Sequence, residues 1–386
     1  MPEFDLLCHG DLWDAVRGRR NDRWLAIRDG DLVGEFEEQP GDARDIRTAT
    51  LFTPGLIDMH VHLVWDGTDD PVTTLTAETE SELTIRAIEN AQRQLRSGVT
   101  TVRDLGSPHD IAITVGRAIQ SGQVSGPRTI ASGRTIIISD GHDPFWGIES
   151  DGVDACRQAV RRLRGAGAEV IKVSATGGVY GQAIGEDPGA AELSLDELTA
   201  IVDEASRFDL PVAAHAVGIE GIRNAVKAGV DTLEHGNFMD EETLSQLVED
   251  DIAYDPTLFV YREIATGSAP EYARANAERV VDHHWEVTKR AIDADARLLA
   301  GSDAGSPSTP HPSLHRELQC LVENGLNEER ALAAATYNAA KELSRPEIGT
   351  LESGTSADIV GFDDDPLRGI ISANSSSVVV KDGELV

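Results

Sequence analysis

Short apolar runs alternate with longer amphipathic stretches through the middle of the chain. This alternation predicts strands separated by helices, as in α/β folds with a parallel sheet. The clearest helical spacing is found at residues 76–98, 152–166, 194–207 and 218–228. The eight apolar runs are residues 55–60, 98–105, 128–132, 170–173, 211–215, 231–235, 252–257 and 298–303. Eight such strands predict a (β/α)8 TIM barrel. A doubly wound open sheet is the alternative, but no GxGxxG fingerprint follows the first run.

Both chain ends show a different pattern, in which short strands are joined by turns. Residues 24–33 contain an apolar run, an Asp-Gly pair and a second apolar run, which predicts a β-hairpin. Residues 378–386 repeat this pattern, and residues 349–361 form another short β unit. We therefore predict a small composite β-sandwich domain formed from both chain ends. Its two parts are residues 1–52 and 345–386, and the catalytic barrel is residues 53–344.

The charge balance narrows the choice of partners. The chain has 67 acidic and 34 basic residues, a formal net charge of −33, and only five of the basic residues are lysine. Nucleic acid and anionic membranes would be repelled, so neither is an expected partner. Acid-rich, lysine-poor chains resemble proteins of organisms with molar salt in the cytoplasm, where the Debye length falls to about 3 Å. We expect a halophilic source; an acidic mesophilic protein is the alternative.

Hydropathy and cysteine content indicate the compartment. No apolar run approaches the ~20 residues of a membrane span, and the first residues lack the basic and apolar regions of a signal peptide. Cys8, Cys156 and Cys320 lie far apart without CxxC spacing, as expected in a reducing environment. We expect a cytoplasmic protein that acts on a small-molecule substrate, and a homo-oligomer remains open.

Residues with metal-binding chemistry stand at the ends of the apolar runs. A buried lysine such as Lys172 is costly as an ammonium ion, but as a neutral amine it can add carbon dioxide to form an anionic carbamate. His60 and His62 are two positions apart on a strand, so both leave the same face. The candidate ligands are His60, His62, Lys172, His215, His235 and Asp303.

Each of these residues also has an ordinary explanation when taken alone. A His-x-His pair can arise by chance, a buried lysine can form a salt bridge, and a lone histidine after an apolar run is usually a hydrogen-bonded core residue. Asp303 could cap the loop that follows it. Six such residues at five strand ends are harder to explain without a metal site.

The same residues resemble the amidohydrolase superfamily, in its binuclear branch with a carboxylated lysine. The resemblance rests on the segment 53–62 (Thr-Pro-Gly-Leu-Ile-Asp-Met-His-Val-His), on Lys172, His215 and His235, and on the Gly-Ser-Asp of 301–303. The motifs at 102–106, 141–142, 175–178 and 234–236 resemble prolidase-like members, close to imidazolonepropionase. Imidazolonepropionase and the deaminases are mononuclear and need no bridging lysine, so Lys172 disfavours their chemistry here.

The resemblance implies how two divalent metal ions are held. His60, His62 and Asp303 would bind the more buried ion, His215 and His235 the more exposed one, and carboxylated Lys172 would bridge them. A hydroxide shared by both ions would be the nucleophile, and Asp303 would pass its proton to the leaving amine. His142 would hydrogen-bond the developing oxyanion, although it could also be a surface loop residue. Zinc is the expected metal, with manganese or cobalt as alternatives.

The expected reaction is hydrolysis of an amide bond in an Xaa-Pro or other dipeptide, or in an N-acyl amino acid. A lactone, a carbamate or a cyclic amide is the alternative substrate, and a non-catalytic amidohydrolase-like scaffold is a second alternative. Tyr180, Tyr261, Arg262 and His311 are the candidate residues for binding a substrate carboxylate, or else ordinary loop residues. Val217 stands where prolidase-like relatives often place a hydrogen-bonding tyrosine, which makes dipeptidase activity less secure than hydrolase activity.

Overall fold

The two patterns in the sequence correspond to two kinds of sheet. The computed structural model describes residues 2–181, 187–370, 373 and 375–386. The strands of these residues are Phe4–Asp14 (β1), Gly18–Arg28 (β2), Asp31–Phe36 (β3), Ala43–Pro54 (β4), Leu56–Val61 (β5), Val99–Asp104 (β6), Arg128–Ala131 (β7), Ile136–Ile137 (β8), Ile148–Glu149 (β9), Ile171–Ser174 (β10), Val212–Ala216 (β11), Thr232–His235 (β12), Ala253–Asp255 (β13), Ile359–Phe362 (β14), Ser376–Lys381 (β15) and Glu384–Leu385 (β16).

Both chain ends contribute to one seven-stranded sheet, in the order β16-β15-β14-β4-β1-β2-β3. Strands β2 and β3 pair antiparallel, as the predicted hairpin requires, and β4 pairs with β14 from the other chain end. Side chains alternate between the two faces, so Leu6 and Cys8 pack in one apolar cluster while Leu7 packs in another. Both faces of the sheet therefore carry buried apolar side chains. The domain boundaries proposed above stay a prediction.

The middle of the chain forms parallel strands in two sheets. One has the order β5-β6-β7 and the other β13-β12-β11-β10-β8-β9. The last predicted strand, residues 298–303, is not a regular strand. Leu298 makes a parallel bridge to Tyr254 of β13 instead, and Ala304, directly after this segment, makes one to Val61 of β5. On the other side, the backbone N–H of Glu169 donates to Ala131 of β7 over 3.0 Å.

Helices lie between these strands. They are Pro71–Ala77 (α1), Glu80–Arg96 (α2), Ile111–Gln120 (α3), Val153–Ala166 (α4), Leu195–Ser206 (α5), Ile219–Ala228 (α6), Glu241–Glu249 (α7), Leu258–Thr266 (α8), Glu271–Asp293 (α9), Leu314–Glu323 (α10), Glu328–Ala334 (α11) and Tyr337–Glu342 (α12), with a 3₁₀ turn at Pro108–Asp110. No helix of the described residues has the length and apolar character needed to cross a membrane.

Local capping explains where two of the helices begin. The helix predicted over 76–98 is in fact two helices, because Thr79 starts a new one. Its side chain accepts a hydrogen bond from the Glu82 N–H, while the Glu82 carboxylate accepts one from the Thr79 N–H. Ser194 and Glu197 make the same reciprocal cap at α5, where the serine cap was predicted. The chain thus has a mixed α/β fold in which the strands β5, β10, β11 and β12 carry the candidate ligands.

Candidate metal centre

The six candidate ligands come together at one cavity. His60 lies on β5 and His62 directly follows it, while Lys172, His215 and His235 lie on β10, β11 and β12. Asp303 arrives from the segment that bridges β13 and β5. All six are buried and line one cavity, together with His142. Neighbouring parallel strands end on the same side, so residues distant in sequence become neighbours here.

His60, His62 and Asp303 form one compact group, with ligand atoms that all lie within 4.8 Å of one another. The Oδ1 atom of Asp303 is 3.4 Å from His62 Nε2 and 3.8 Å from His60 Nε2. The other ring nitrogen of each histidine is already bound, since His60 Nδ1 lies 2.9 Å from Glu234 and His62 Nδ1 lies 3.2 Å from the Gly106 carbonyl. Both Nε2 atoms can therefore serve as metal ligands.

His215 and His235 form a second group beside the first, with their ring centroids 4.7 Å apart. His215 Nε2 donates to the Gly177 carbonyl over 3.1 Å, which leaves Nδ1 as the possible ligand atom. His235 Nδ1 lies 2.7 Å from the Thr257 hydroxyl, which leaves Nε2. A hydrogen bond to one ring nitrogen sets the orientation of the ring and thereby directs the other nitrogen.

The protonation states of the candidate ligands favour binding of a divalent metal ion. Burial lowers the pKa of His60 to about 4 and lowers the pKa values of His215 and His235 far below their usual range, so these rings are neutral near pH 7. Burial would also lower the pKa of His62, but the Asp303 carboxylate raises it. Neutral imidazoles beside an ionised carboxylate are the donor set that divalent metal ions bind.

Lys172 is held among these groups in the interior. Burial lowers its pKa, although the Glu234 and Asp303 carboxylates oppose the shift. A lower pKa raises the fraction of neutral amine, and the neutral amine is the form that reacts with carbon dioxide. Burial would raise the pKa of Asp303, but His60 and His62 hold it below its usual range. Asp303 therefore remains a carboxylate.

A buried ion pair contacts the first group through His60. No role for this pair is predicted from the sequence. Arg103 of β6 donates to Glu234 over 2.8 Å, to the Met59 carbonyl over 2.6 Å and to the Thr232 hydroxyl over 3.0 Å. The second oxygen of Glu234 faces His60. The signal in the sequence was the presence of charged residues inside otherwise apolar runs, because such residues are buried only when they are paired.

The backbone is constrained at the ligands. His235, Thr257 and Asp303 have positive φ angles of 71°, 50° and 52°, a region that non-glycine residues adopt rarely and that clusters at functional sites. Gly301 allows the chain to approach β5, since a Cβ atom there would lie 2.5 Å from the His60 Cβ and 2.3 Å from an Asp255 oxygen. The small residues around Asp303 thus serve close packing.

The four predicted substrate-binding residues divide into two pairs. Tyr180 and Tyr261 line the cavity, and the Tyr180 hydroxyl donates to Asp70 over 2.6 Å. Neither Arg262 nor His311 is among the described residues that line the cavity. Arg262 donates to Glu323 over 2.9 Å, whereas His311 contacts Gln94 and the His62 carbonyl. All four roles stay predictions.

His142 faces the second histidine group. Its ring stacks on His215 with a centroid distance of 4.2 Å, and its Nε2 lies 3.4 Å from an Asp143 oxygen. Gly178 makes room for the ring, because a Cβ at that position would lie 2.3 Å from it. Asp143 and Trp65 also line the cavity and were not singled out from the sequence.

Known proteins resemble the chain in sequence and in structure. Residues 51–386 match the Amidohydrolase family. Ochratoxinase of Aspergillus niger is 31% identical over an alignment of 354 positions, and the match covers 83% of this chain and 72% of that protein. The crystal structure of a Xaa-Pro dipeptidase with bound methionine has a TM-score of 0.91 at 29% identity, over 99% of both chains. A prolidase complexed with N-methylphosphonate-L-proline has a TM-score of 0.91 at 27% identity, over 99% of both chains.

Proposed function

Since the chain belongs to the amidohydrolase family, we propose that it is a binuclear metal-dependent hydrolase that cleaves an amide C–N bond of a small substrate. The single observation that carries the proposal is the convergence of four histidines, an aspartate and a buried lysine on one cavity. Their imidazoles and ionised carboxylate match the donors that such metal ions prefer.

The ligand assignment follows the two groups described above. His60, His62 and Asp303 would hold one ion, His215 and His235 the other, and Lys172, carboxylated by carbon dioxide, would bridge them. Nitrogen-rich donor sets favour zinc. When bound, divalent metal ions polarise a carbonyl and lower the pKa of a coordinated water to about 7.

The residues of the chain then move one proton and stabilise one developing charge. Hydrolysis joins the oxygen of water to the carbonyl carbon and breaks the C–N bond, and a proton goes from the water to the leaving amine. Asp303 would accept this proton and deliver it, since its low pKa keeps it ionised beforehand. His142 would donate a hydrogen bond to the carbonyl oxygen as negative charge develops there.

The substrates to be tested first come from the named relatives. Structures similar to this chain are those of a Xaa-Pro dipeptidase and a prolidase, so dipeptides, Xaa-Pro among them, and N-acyl amino acids form the first set. Lactones, carbamates and cyclic amides form the second set, because the same donor set could activate water against them. A non-catalytic scaffold is disfavoured because all six ligand positions are filled.

We also infer that the two parallel sheets form one closed (β/α)8 barrel, with the seven-stranded sheet as part of a composite β-sandwich. The bridges of residues 298–304 to β13 and β5 support closure on one side, and the Glu169–Ala131 hydrogen bond supports it on the other. The cytoplasmic location, the halophilic source and a homo-oligomer stay predictions from the sequence.

The proposal is tested by hydrolysis of both substrate sets with zinc-loaded protein and bicarbonate in molar KCl. Two metal ions per chain are expected, together with turnover that Lys172→Ala abolishes. Lys227→Ala is the matched control, because Lys227 is an exposed lysine on α6. Turnover of only lactones or carbamates would reject amide hydrolysis and leave that alternative. Equal turnover by both lysine variants would overturn the binuclear site.

A further inference from the structure

Part of the cavity wall, beside the candidate ligands, is apolar. It is formed by Trp65, Val179, Tyr180, Val260, Tyr261 and Ile264, all of them buried. This wall directly adjoins the metal ligands, since the Trp65 ring lies 4.9 Å from His62 and the Tyr261 ring lies 5.4 Å from His235. The groups on either side of a scissile bond would therefore contact apolar and aromatic surface.

The same cavity offers little to an anionic substituent. Of the described residues that line it, Lys172 is the one lysine or arginine, and it belongs to the ligand set. Residues 182–186, which the structure does not describe, contain no lysine, arginine or histidine. Asp143 adds a carboxylate to the lining. Arg262, next to Tyr261 in the chain, instead pairs with Glu323.

An ionised carboxylate held against the apolar wall, away from the proposed metal ions, would lose its hydration without gaining a cationic partner, which is costly. The formal charge of −33 further lowers the local concentration of anionic substrates at low ionic strength. Neutral amides face neither penalty, and an aromatic substituent gains contact with Trp65 and Tyr261.

We propose that this site selects substrates that carry no carboxylate: uncharged amides with an apolar, preferably aromatic, group beside the scissile bond. This rests on the proposed hydrolytic function and narrows it. Within the first substrate set, free dipeptides and N-acyl amino acids would be poorer substrates than the same molecules with a neutral carboxamide in place of the terminal carboxylate.

A matched substrate pair tests the selection. N-benzoyl-L-phenylalaninamide and N-benzoyl-L-phenylalanine share the scissile benzoyl amide and differ only in the terminal carboxamide or carboxylate. Benzoate released from each is measured by chromatography. We expect kcat/KM to be at least about tenfold higher for the neutral member, a conservative bound for an unpaired buried charge. Equal or faster hydrolysis of the acid would overturn the inference.

A charge placed in the wall should reverse the preference. Ile264→Arg puts a cation among the apolar residues of the cavity, and we expect it to raise the acid-to-amide ratio of kcat/KM at least about tenfold. Ile85→Arg adds the same charge at an exposed position of α2 and should leave the ratio unchanged. An unchanged ratio in a folded, metal-loaded Ile264→Arg protein would overturn the inference. If that variant does not fold, the wild-type substrate pair decides alone.

Binding separates a failure of this inference from a failure of the proposed function. If neither member of the pair is hydrolysed, their dissociation constants with zinc-loaded protein are measured by calorimetry. Tighter binding of the neutral member would retain the selection although the reaction assigned to the site had failed. Equal binding, tighter binding of the acid, or no binding of either at millimolar concentration would overturn the selection.

Discussion

Two buried glutamates bind arginine in opposite surroundings. Glu234 lies on β12 beside the candidate metal ligands, and Glu204 lies on α5 at the outside of the fold. The side chain of Arg103, the partner of Glu234, is only 2% exposed. The partners of Glu204 are Arg157, Arg161 and Arg207, whose side chains are 29%, 53% and 64% exposed.

The difference shows how burial of the partner decides what an ion pair does. The arginines around Glu204 keep much of their hydration, so that network holds α4 and α5 together and is open to screening by salt. Glu234 and Arg103 are shielded from water, and the second oxygen of Glu234 orients His60. We therefore expect the Glu234 pair to govern activity and the Glu204 network to govern stability.

The largest effect is expected at Lys172, which is buried near the Glu234 carboxylate. Lys172→Ala should lower kcat/KM more than about a hundredfold, beyond the usual cost of losing a residue that only orients a ligand. Lys172→Arg keeps the cation but cannot form a carbamate, so it should lose activity as well. Activity and metal content are measured together. An active arginine variant would show that the lysine acts by its charge alone.

Glu234→Gln should lower kcat/KM by about 10- to 100-fold, because a glutamine orients His60 less strongly and removes the nearer counter-charge of Arg103. Zinc affinity, measured by competition with a chelator, should fall in parallel. Glu204→Gln is the control and should keep wild-type kcat/KM. If both variants have the same kcat/KM, the expectation that the Glu234 pair governs activity is wrong.

Glu204→Gln should lower Tm by a few degrees near neutral pH, and the loss should depend on pH. The Arg161 hydrogen bond holds the pKa of Glu204 at about 2, below its ordinary value of 4.5. A depressed carboxyl pKa stabilises the folded protein above pH 4.5, and that contribution is lost as the pH falls toward 2. The Tm difference between wild type and variant should therefore shrink below pH 4.5. A difference that stays constant would contradict the role given to this pair.

The smallest effect, a change of the Tm differences with salt concentration, should distinguish the two glutamates. Raising KCl from about 0.1 M to about 1 M shortens the Debye length from about 10 Å to about 3 Å. The Tm difference caused by Glu204→Gln should then decrease, whereas that caused by Glu234→Gln should not. The wild type itself should gain stability, as a chain of net charge −33 would. A wild type that is equally stable and active in dilute buffer would contradict the halophilic prediction.

That the candidate ligands lie together could be predicted because the relevant signal is local. His60, His62, His215 and His235 each end or follow an apolar run, and the ends of parallel strands meet on one side of a sheet. The Ser194 cap and the Asp-Gly hairpin at residues 29–30 could be predicted for the same reason, since each depends only on residues within a few positions. The lining of the cavity could not be predicted in this way.

By itself, the sequence determined the mixed α/β fold, the sheet built from both chain ends and the chemistry available at the strand ends. Only the tertiary structure decided that Tyr180 and Tyr261 face the cavity while Arg262 pairs with Glu323, and that Glu234 joins Arg103 to His60. The physical reason is that backbone periodicity depends on neighbours in sequence. The lining of a cavity and the pairing of buried charges depend instead on which distant elements pack together.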